Sequence, residues 1–250
     1  MKIPPKVRHY TDAIVVPIAL VLLYVTFTIS ANATGAARVL AAIFMLIALG
    51  MWVGFRRLRL HAAAARLSAI GEPAQLLTLA DDELQRRWFP AGKASLHIYR
   101  AMAFNLMGKP TEAKAALDDS GVKPGARSTR AWQLLWAATD IDARTRLGDA
   151  VGARKTLDTV LKPFVRMMPS RGIELIATEA EARVLLAEGD AEGARALVAP
   201  FVKDMRLGPA ARAQLYAIVA ASERRLGNEA AAKVAAAKVT ELAPSCTLVS

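Results

Sequence analysis

The chain of 250 residues has few of the residues that mark several classes of protein. Its single cysteine, Cys246, excludes a disulfide-stapled secreted domain, because such domains need paired cysteines. Aromatic residues make up only 6%, and strand-forming residues are sparse beyond residue 55, which argues against an all-β fold. The apolar content of 54% excludes disorder, since disordered chains are poor in apolar residues.

Charge is missing from two stretches near the N-terminus. No charged residue lies between Asp12 and Arg38, and a second uncharged run extends from Val39 to Phe55. The first stretch contains a largely apolar run over residues 13–29, so each run is about 17 residues long, the short end of the length that spans a bilayer as an α-helix. We therefore predict a transmembrane hairpin over residues 1–55, with spans at about 13–30 and 37–55.

Basic residues flank this hairpin and predict its orientation. They precede the first span and follow the second at Lys2, Lys6, Arg8, Arg56, Arg57 and Arg59. The positive-inside rule then places both termini and the C-terminal part in the cytoplasm, at the plasma (inner) membrane. We expect Arg56, Arg57 and Arg59 to meet anionic lipid head groups. A cleaved signal peptide is the alternative for the first span, because residues 31–33 read Ala-Asn-Ala.

The second span carries two glycines four residues apart, Gly50 and Gly54. Small residues at this spacing let two membrane helices approach closely, so the pair is a candidate packing site. The alternative is that glycine is simply common in membrane helices.

Four segments of the remaining chain share one pattern: glycine, four residues, alanine, then lysine or arginine. They are Gly108–Lys114, Gly148–Arg154, Gly189–Arg195 and Gly227–Lys233, whose starts are 40, 41 and 38 residues apart. Glycine ends a helix at low cost in the left-handed conformation. Asp149, Asp190 and Asn228 follow at once and are expected to N-cap the next helix. The pattern therefore predicts four helical hairpins that bury apolar area by stacking.

This pattern resembles the tetratricopeptide repeat (TPR), which has glycine at the turn and alanine five residues later. The family also prefers a small residue seven positions before the glycine, as at Ala101, Ala182 and Ala220, whereas Ile141 departs; only Pro244 matches its closing proline well. The resemblance covers about residues 92–244, with a period near 40 where the family has 34.

The resemblance implies an all-α chain in which an α-solenoid of about four TPR-like hairpins, residues 92–250, follows the membrane hairpin. Residues 56–91 then form a juxtamembrane stalk or cap, in which residues 56–70 continue the second span and residues 72–88 form a further helix.

The resemblance also implies a groove lined by the first helix of each repeat, where a protein partner binds. The groove-facing candidates are Asn105, Asp142, Arg146, Glu179, Arg183, Gln214 and Arg224. The alternative is that they are ordinary solvated helix residues.

Motifs of catalysis are missing: the sequence has no dinucleotide-binding, phosphate-loop, zinc-protease or nucleophile-elbow pattern. We expect no enzyme activity, no metal and no cofactor. Nucleic acid is not an expected partner either. The net charge of +11 divides into +3 over residues 1–55 and +8 over residues 56–250, without basic runs interleaved with aromatic residues.

Two functions remain open. The first is a membrane-anchored scaffold or adaptor that holds a protein partner at the cytoplasmic face. The second is an accessory or assembly subunit of a larger membrane complex, with the transmembrane hairpin as part of the interface.

Overall fold

The computed structural model describes residues 35–86, 92–124 and 130–248, and all the regular structure in them is helical. The all-α prediction is confirmed. The first predicted span lies outside the described residues. The helices are α1 (Gly35–Ile70), α2 (Pro73–Arg86), α3 (Lys93–Leu106), α4 (Pro110–Asp119), α5 (Arg130–Arg146), α6 (Ala150–Thr156), a π-helical turn (Leu157–Leu161), α7 (Lys162–Met167), α8 (Arg171–Glu188), α9 (Ala191–Val202), α10 (Pro209–Arg225) and α11 (Glu229–Leu242).

The chain divides into two compact units, residues 1–62 and residues 63–250. Helix α1 begins in the first unit and runs unbroken into the second. In the first unit, large apolar side chains of α1 such as Val39, Leu46 and Phe55 are exposed. Among the described residues, no helix combines the length and the apolar character needed to cross a membrane. The transmembrane hairpin therefore stays a prediction.

Four helical hairpins make up most of the second unit: α3 with α4, α5 with α6 and α7, α8 with α9, and α10 with α11. The turn of each contains the glycine of the sequence pattern in the left-handed conformation, with φ of 72° at Gly108, 78° at Gly148, 97° at Gly189 and 80° at Gly227. A side chain is strained in this conformation and glycine is not, so the helix ends there. The predicted helix stops are confirmed.

Polar caps start the second helix of two of the hairpins. The carboxylates of Asp149 and Asp190 each accept a hydrogen bond of 2.8 Å from the backbone N–H three residues later, as predicted. Asn228 behaves differently. Its amide nitrogen donates to Glu223 at 2.8 Å, and its side chain makes no capping bond.

The second helix of the second hairpin contains Pro163 and still continues to Met167. Proline has no N–H, and its ring clashes with the carbonyl four residues earlier in a regular α-helix. The π-helical turn at Leu157–Leu161 widens the backbone just ahead of the proline. Such a turn accommodates a break in the α-helical hydrogen bonding without ending the helix.

Alanine makes close packing of the hairpins possible. The alanines of the repeated pattern, Ala113, Ala153, Ala194 and Ala232, are all buried. So are the residues seven positions before each glycine, including the larger Ile141. Two apolar clusters join successive hairpins, and a third joins the last hairpin to Leu106 of the first. Each hairpin therefore buries its apolar face against its neighbours, as stacking repeats must.

Candidate functional site

The first helices of the four hairpins line a cavity of about 350 Å³ in the second unit. Five of the seven groove candidates line it: Asn105, Asp142, Glu179, Arg183 and Gln214. A sixth, Arg146, reaches the same cluster by donating from Nε to Asp142 at 2.8 Å. The pattern therefore identified a set of residues that the fold brings together from four helices.

Arg183 is the centre of this charged cluster. Its guanidinium lies 2.8 Å from Oδ1 of Asp142 on α5 and 2.9 Å from Oε1 of Glu179 on its own helix. The side chain of Arg183 is only 11% exposed. A buried guanidinium with a planar fork of donors suits such bridging. The contact joins the second and third hairpins.

The pKa values of the two carboxylates of the cluster are shifted in opposite directions. Burial alone would raise the pKa of Asp142, but Arg183 and Arg146 outweigh it and lower that pKa below its usual value. For Glu179, burial raises the pKa, and Arg183 offsets the rise only in part. The difference arises because Asp142 has two arginine partners and Glu179 has one.

Two amides extend the cluster to the outer hairpins. With its nitrogen turned towards the carboxylate, Gln214 on α10 donates to the oxygens of Glu179 at 2.6 and 3.1 Å. Asn105 on α3 is buried and donates from Nδ2 to the carbonyl of Thr139 at 3.0 Å. Hydrogen bonds from the candidates therefore link the first helices of all four hairpins.

Arg224 is the candidate that the fold does not bring to the cavity. It lies ten residues beyond Gln214 on α10 and is exposed. At about 100° per residue, ten residues rotate it by about 80° away from the face that Gln214 occupies. In contrast, Asp142 and Arg146, or Glu179 and Arg183, are four residues apart and share a face.

The chain's own residues fill part of the groove. Small side chains at the end of α1 line the cavity: Ala64, Ala65, Ser68 and Ala69. Residues 64–69 of α1, in the second unit, thus lie against the groove-lining helices. Among the candidates, Asp142, Glu179 and Arg183 are largely shielded from solvent, since their side chains are at most 19% exposed.

The C-terminal tail contacts the first helices of the first two hairpins. The N–H of Thr247 donates to the carbonyl of Leu106 at 2.7 Å, and Arg146 donates to the carbonyl of Thr247 at 3.4 Å. Leu248 is buried in the cluster that contains Leu106 and Ala213. The sequence carries no signal of these contacts, because the paired residues are more than a hundred positions apart.

Cys246 lies in this tail as a free thiol. Its sulfur is 3.5 Å from the carbonyl of Gly71, and burial raises the pKa of the thiol. A raised pKa leaves little thiolate at neutral pH, so the residue is a poor nucleophile.

The basic residue that ends the repeated pattern lies at the junction between one hairpin and the next. In three successive hairpins it forms an ion pair with the first helix of the next: Lys114 with Asp140 at 3.5 Å, Arg154 with Glu188 at 2.8 Å, and Arg195 with Glu223 at 3.2 Å. The acids lie eight, one and four residues before the following glycine. These pairs cannot be predicted from the repeated pattern, because only the basic partner keeps a fixed position in it.

Asp140 is the most buried of the junction acids. Its carboxylate is fully buried and accepts from Arg144 Nε at 2.7 Å and from the hydroxyl of Thr156 at 2.9 Å. Both hydrogen bonds reach Oδ2, and Lys114 lies 3.5 Å from Oδ1. These donors and positive charges offset the cost of burying the carboxylate.

The predicted anchor residues lie on α1 in the first unit. Among the described residues, no atom beyond the adjacent helix backbone lies within 4 Å of a Cβ placed on Gly50 or Gly54. The guanidiniums of Arg56 and Arg59 stack over Trp52 and Phe55, at 5.8 and 5.4 Å from the ring centroids. Arg57 is exposed.

Comparisons with protein-family models, with curated proteins and with solved structures find no match to this chain. The TPR resemblance therefore stays a prediction from the sequence pattern. Among the described residues, no group of three histidine, cysteine or acidic side chains is placed to hold a metal ion.

Proposed function

We propose that this protein is a membrane-anchored, TPR-like α-solenoid that holds a protein partner at the cytoplasmic face of the plasma (inner) membrane. The two uncharged stretches near the N-terminus form a two-pass hairpin, with spans at about residues 13–30 and 37–55. Both termini and the repeat domain lie in the cytoplasm.

The observation that carries this proposal is the exposed apolar surface of α1. Eight large apolar side chains on this part of the helix are each more than 40% exposed: Val39, Ile43, Leu46, Ile47, Leu49, Met51, Phe55 and Leu58. Monomeric proteins in water rarely expose a continuous apolar surface of this kind. A lipid bilayer or a membrane partner is the environment that suits it, and the arginines at 56, 57 and 59 suit the inner lipid surface.

The repeat domain supports the scaffold role because its hairpins are joined to one another. Ion pairs join all three junctions between hairpins, and the tail ties the last hairpin to the first. Because its groove is partly filled by the chain itself, we place the partner on the outer surface of the array.

Anchoring is tested by washing host membranes with alkaline carbonate. We expect the full chain to stay in the membrane pellet, and Leu46→Lys with Ile47→Lys to release it. The control is Leu226→Lys, which changes an exposed apolar residue of the array. Release of the unmodified chain by carbonate would refute anchoring. Cleavage of a C-terminal tag by external protease in right-side-out vesicles would refute the cytoplasmic orientation.

A second candidate function is an accessory subunit of a membrane complex, favoured by the open space beside Gly50 and Gly54. Replacing both by leucine should separate the protein from a complex that survives detergent and high salt, because leucine blocks a close helix approach. Gly35→Leu on the same helix is the matched control. A complex that tolerates both leucines excludes this face as the interface.

A further inference from the structure

Two turns between hairpins form an exposed surface rich in methionine and arginine. We define this Met-Arg patch as residues 166–172, where α7 ends and α8 begins, and residues 203–207, between α9 and α10. Met168 is 54% exposed and Met205 is 75% exposed. Arg171 pairs with Asp204 at 2.5 Å, which holds the two turns side by side. Exposed methionines and arginines are enriched at protein interfaces.

A cavity of about 360 Å³ lies within this patch. Its apolar wall is formed by Leu175, Phe201 and Leu207, and its polar edge by Arg171, Asp204 and Arg206. The volume is sufficient for one large apolar side chain of a partner. Interfaces of high affinity are typically built around an anchor of this kind.

The arginines of the patch are held in place with donors to spare. Asp204 accepts from Nε of Arg206 at 2.9 Å and from the backbone N–H of the same residue at 3.0 Å. The side chains of Arg171 and Arg206 are nevertheless 61% and 72% exposed. A guanidinium has five N–H donors, so each retains donors for a carboxylate outside the chain.

The charge of the patch selects an acidic ligand. Its two turns contain four basic residues, Arg166, Arg171, Lys203 and Arg206, against one acid, Asp204. The one carboxylate is only 11% exposed, so the surface offered to a partner is basic. A concave apolar wall fits a protruding side chain better than the flat surface of a lipid bilayer, which favours a protein segment over anionic lipid.

We propose that the Met-Arg patch binds an acidic segment of a partner protein. One large apolar side chain of that segment enters the cavity, and its carboxylates pair with Arg171 and Arg206. This inference rests on the proposed scaffold function and adds to it the place and the chemistry of binding.

Site-specific photo-crosslinking in host cells tests the proposal with the full-length chain. A p-benzoylphenylalanine at position 205 should give a discrete adduct with a protein. The same residue at position 151 is the control, since Val151 is 84% exposed and lies outside the patch. The paired change Arg171→Gln with Arg206→Gln should reduce the adduct at least tenfold. Lys109→Gln with Lys233→Gln removes the same charge from exposed sites elsewhere and should leave it unchanged.

The crosslinked segment is then identified by mass spectrometry and synthesised. We expect it to be acidic, and to bind the purified chain at least tenfold more weakly after Arg171→Gln with Arg206→Gln. An equal loss is expected when the acids of the peptide become amides. An adduct with lipid or with a second copy of the chain would overturn the proposal. So would the absence of an adduct, or one that ignores the arginines. None of these outcomes affects the carbonate test of anchoring.

Discussion

Among the side chains that the structure describes, eight large apolar ones of α1 before residue 59 are more than 40% exposed, whereas the apolar side chains at the contacts between hairpins are buried. Leu46 on α1 is 64% exposed and Ala194 in the third hairpin is fully buried. At the contacts between hairpins, apolar surfaces pack against one another and the charges are paired. The contrast shows that the array buries apolar surface through its own contacts, while the described part of α1 before residue 59 leaves large apolar side chains exposed.

The largest expected effect is on the central arginine of the array. Arg183→Leu should lower the free energy of unfolding by about 3 kcal/mol, because it removes the charge that bridges the buried Asp142 and Glu179 and leaves them with Arg146 and Gln214 alone. Urea unfolding of the full chain in detergent measures it. Adding Asp142→Leu and Glu179→Leu should recover most of the loss. A single variant as stable as the unmodified chain would show that the cluster is not a structural centre.

Alanine packing is tested by two changes on the same helix. Ala194→Leu should cost about 1–3 kcal/mol, because the residue is fully buried between helices. Ala196→Leu should cost less than about 0.5 kcal/mol, since Ala196 is exposed. Equal unfolding midpoints for the two variants would contradict the packing that we describe.

The junction pairs should contribute less. Arg154→Ala removes a pair with Glu188 whose side chains are 30% and 33% exposed, so we expect a loss of about 0.5 kcal/mol. Glu188→Ala should have the same effect, and the double variant should lose little more than either single variant. Strict additivity in this double-mutant cycle would mean that the two residues do not interact.

A smaller effect is expected at acidic pH in the Met-Arg patch. The hydrogen bonds from the Arg206 side chain and backbone, together with Arg171, lower the pKa of Asp204 from 3.8 to about 2. Its contribution to stability is therefore complete above about pH 4 and is lost as the pH falls through 2. Carbon NMR of the Asp204 carboxyl should give a midpoint near 2, and Arg206→Gln should raise it. A midpoint near 4 in the unmodified chain would exclude the pair in solution.

The smallest effect on the array should come from α1. Leu46→Lys with Ile47→Lys should leave the urea midpoint of the repeat array unchanged, because these exposed side chains lie in the other compact unit. The same pair should alter extraction from membranes, as described above. A large shift of the urea midpoint would show that the apolar part of α1 stabilises the array and would remove the contrast.

Sequence reasoning was most successful where the physics is local. The left-handed glycines, the caps at Asp149 and Asp190, and the buried alanines follow from the backbone geometry of one turn. Six groove candidates also converge, because residues four apart share a helix face and the repeats align those faces. Arg224 failed because the pattern was extended past the end of that face.

Contacts between distant segments were not predictable from the pattern. The end of α1 lines the groove, Thr247 pairs with Leu106, and the junction acids take a different turn of the helix at each junction. Each of these contacts depends on how one helix is rotated against another.

The sequence by itself determined that the second unit is a series of helical hairpins. Within each repeat, glycine, capping residues and alanine at fixed spacing favour a helical hairpin over other backbone conformations. Only the tertiary structure shows that residues of α1 fill part of the groove and that its charges are paired. An unpaired charge is costly to bury. The arginines and acids of the groove are therefore buried as pairs, and this pairing depends on how the four hairpins, α1 and the tail pack together.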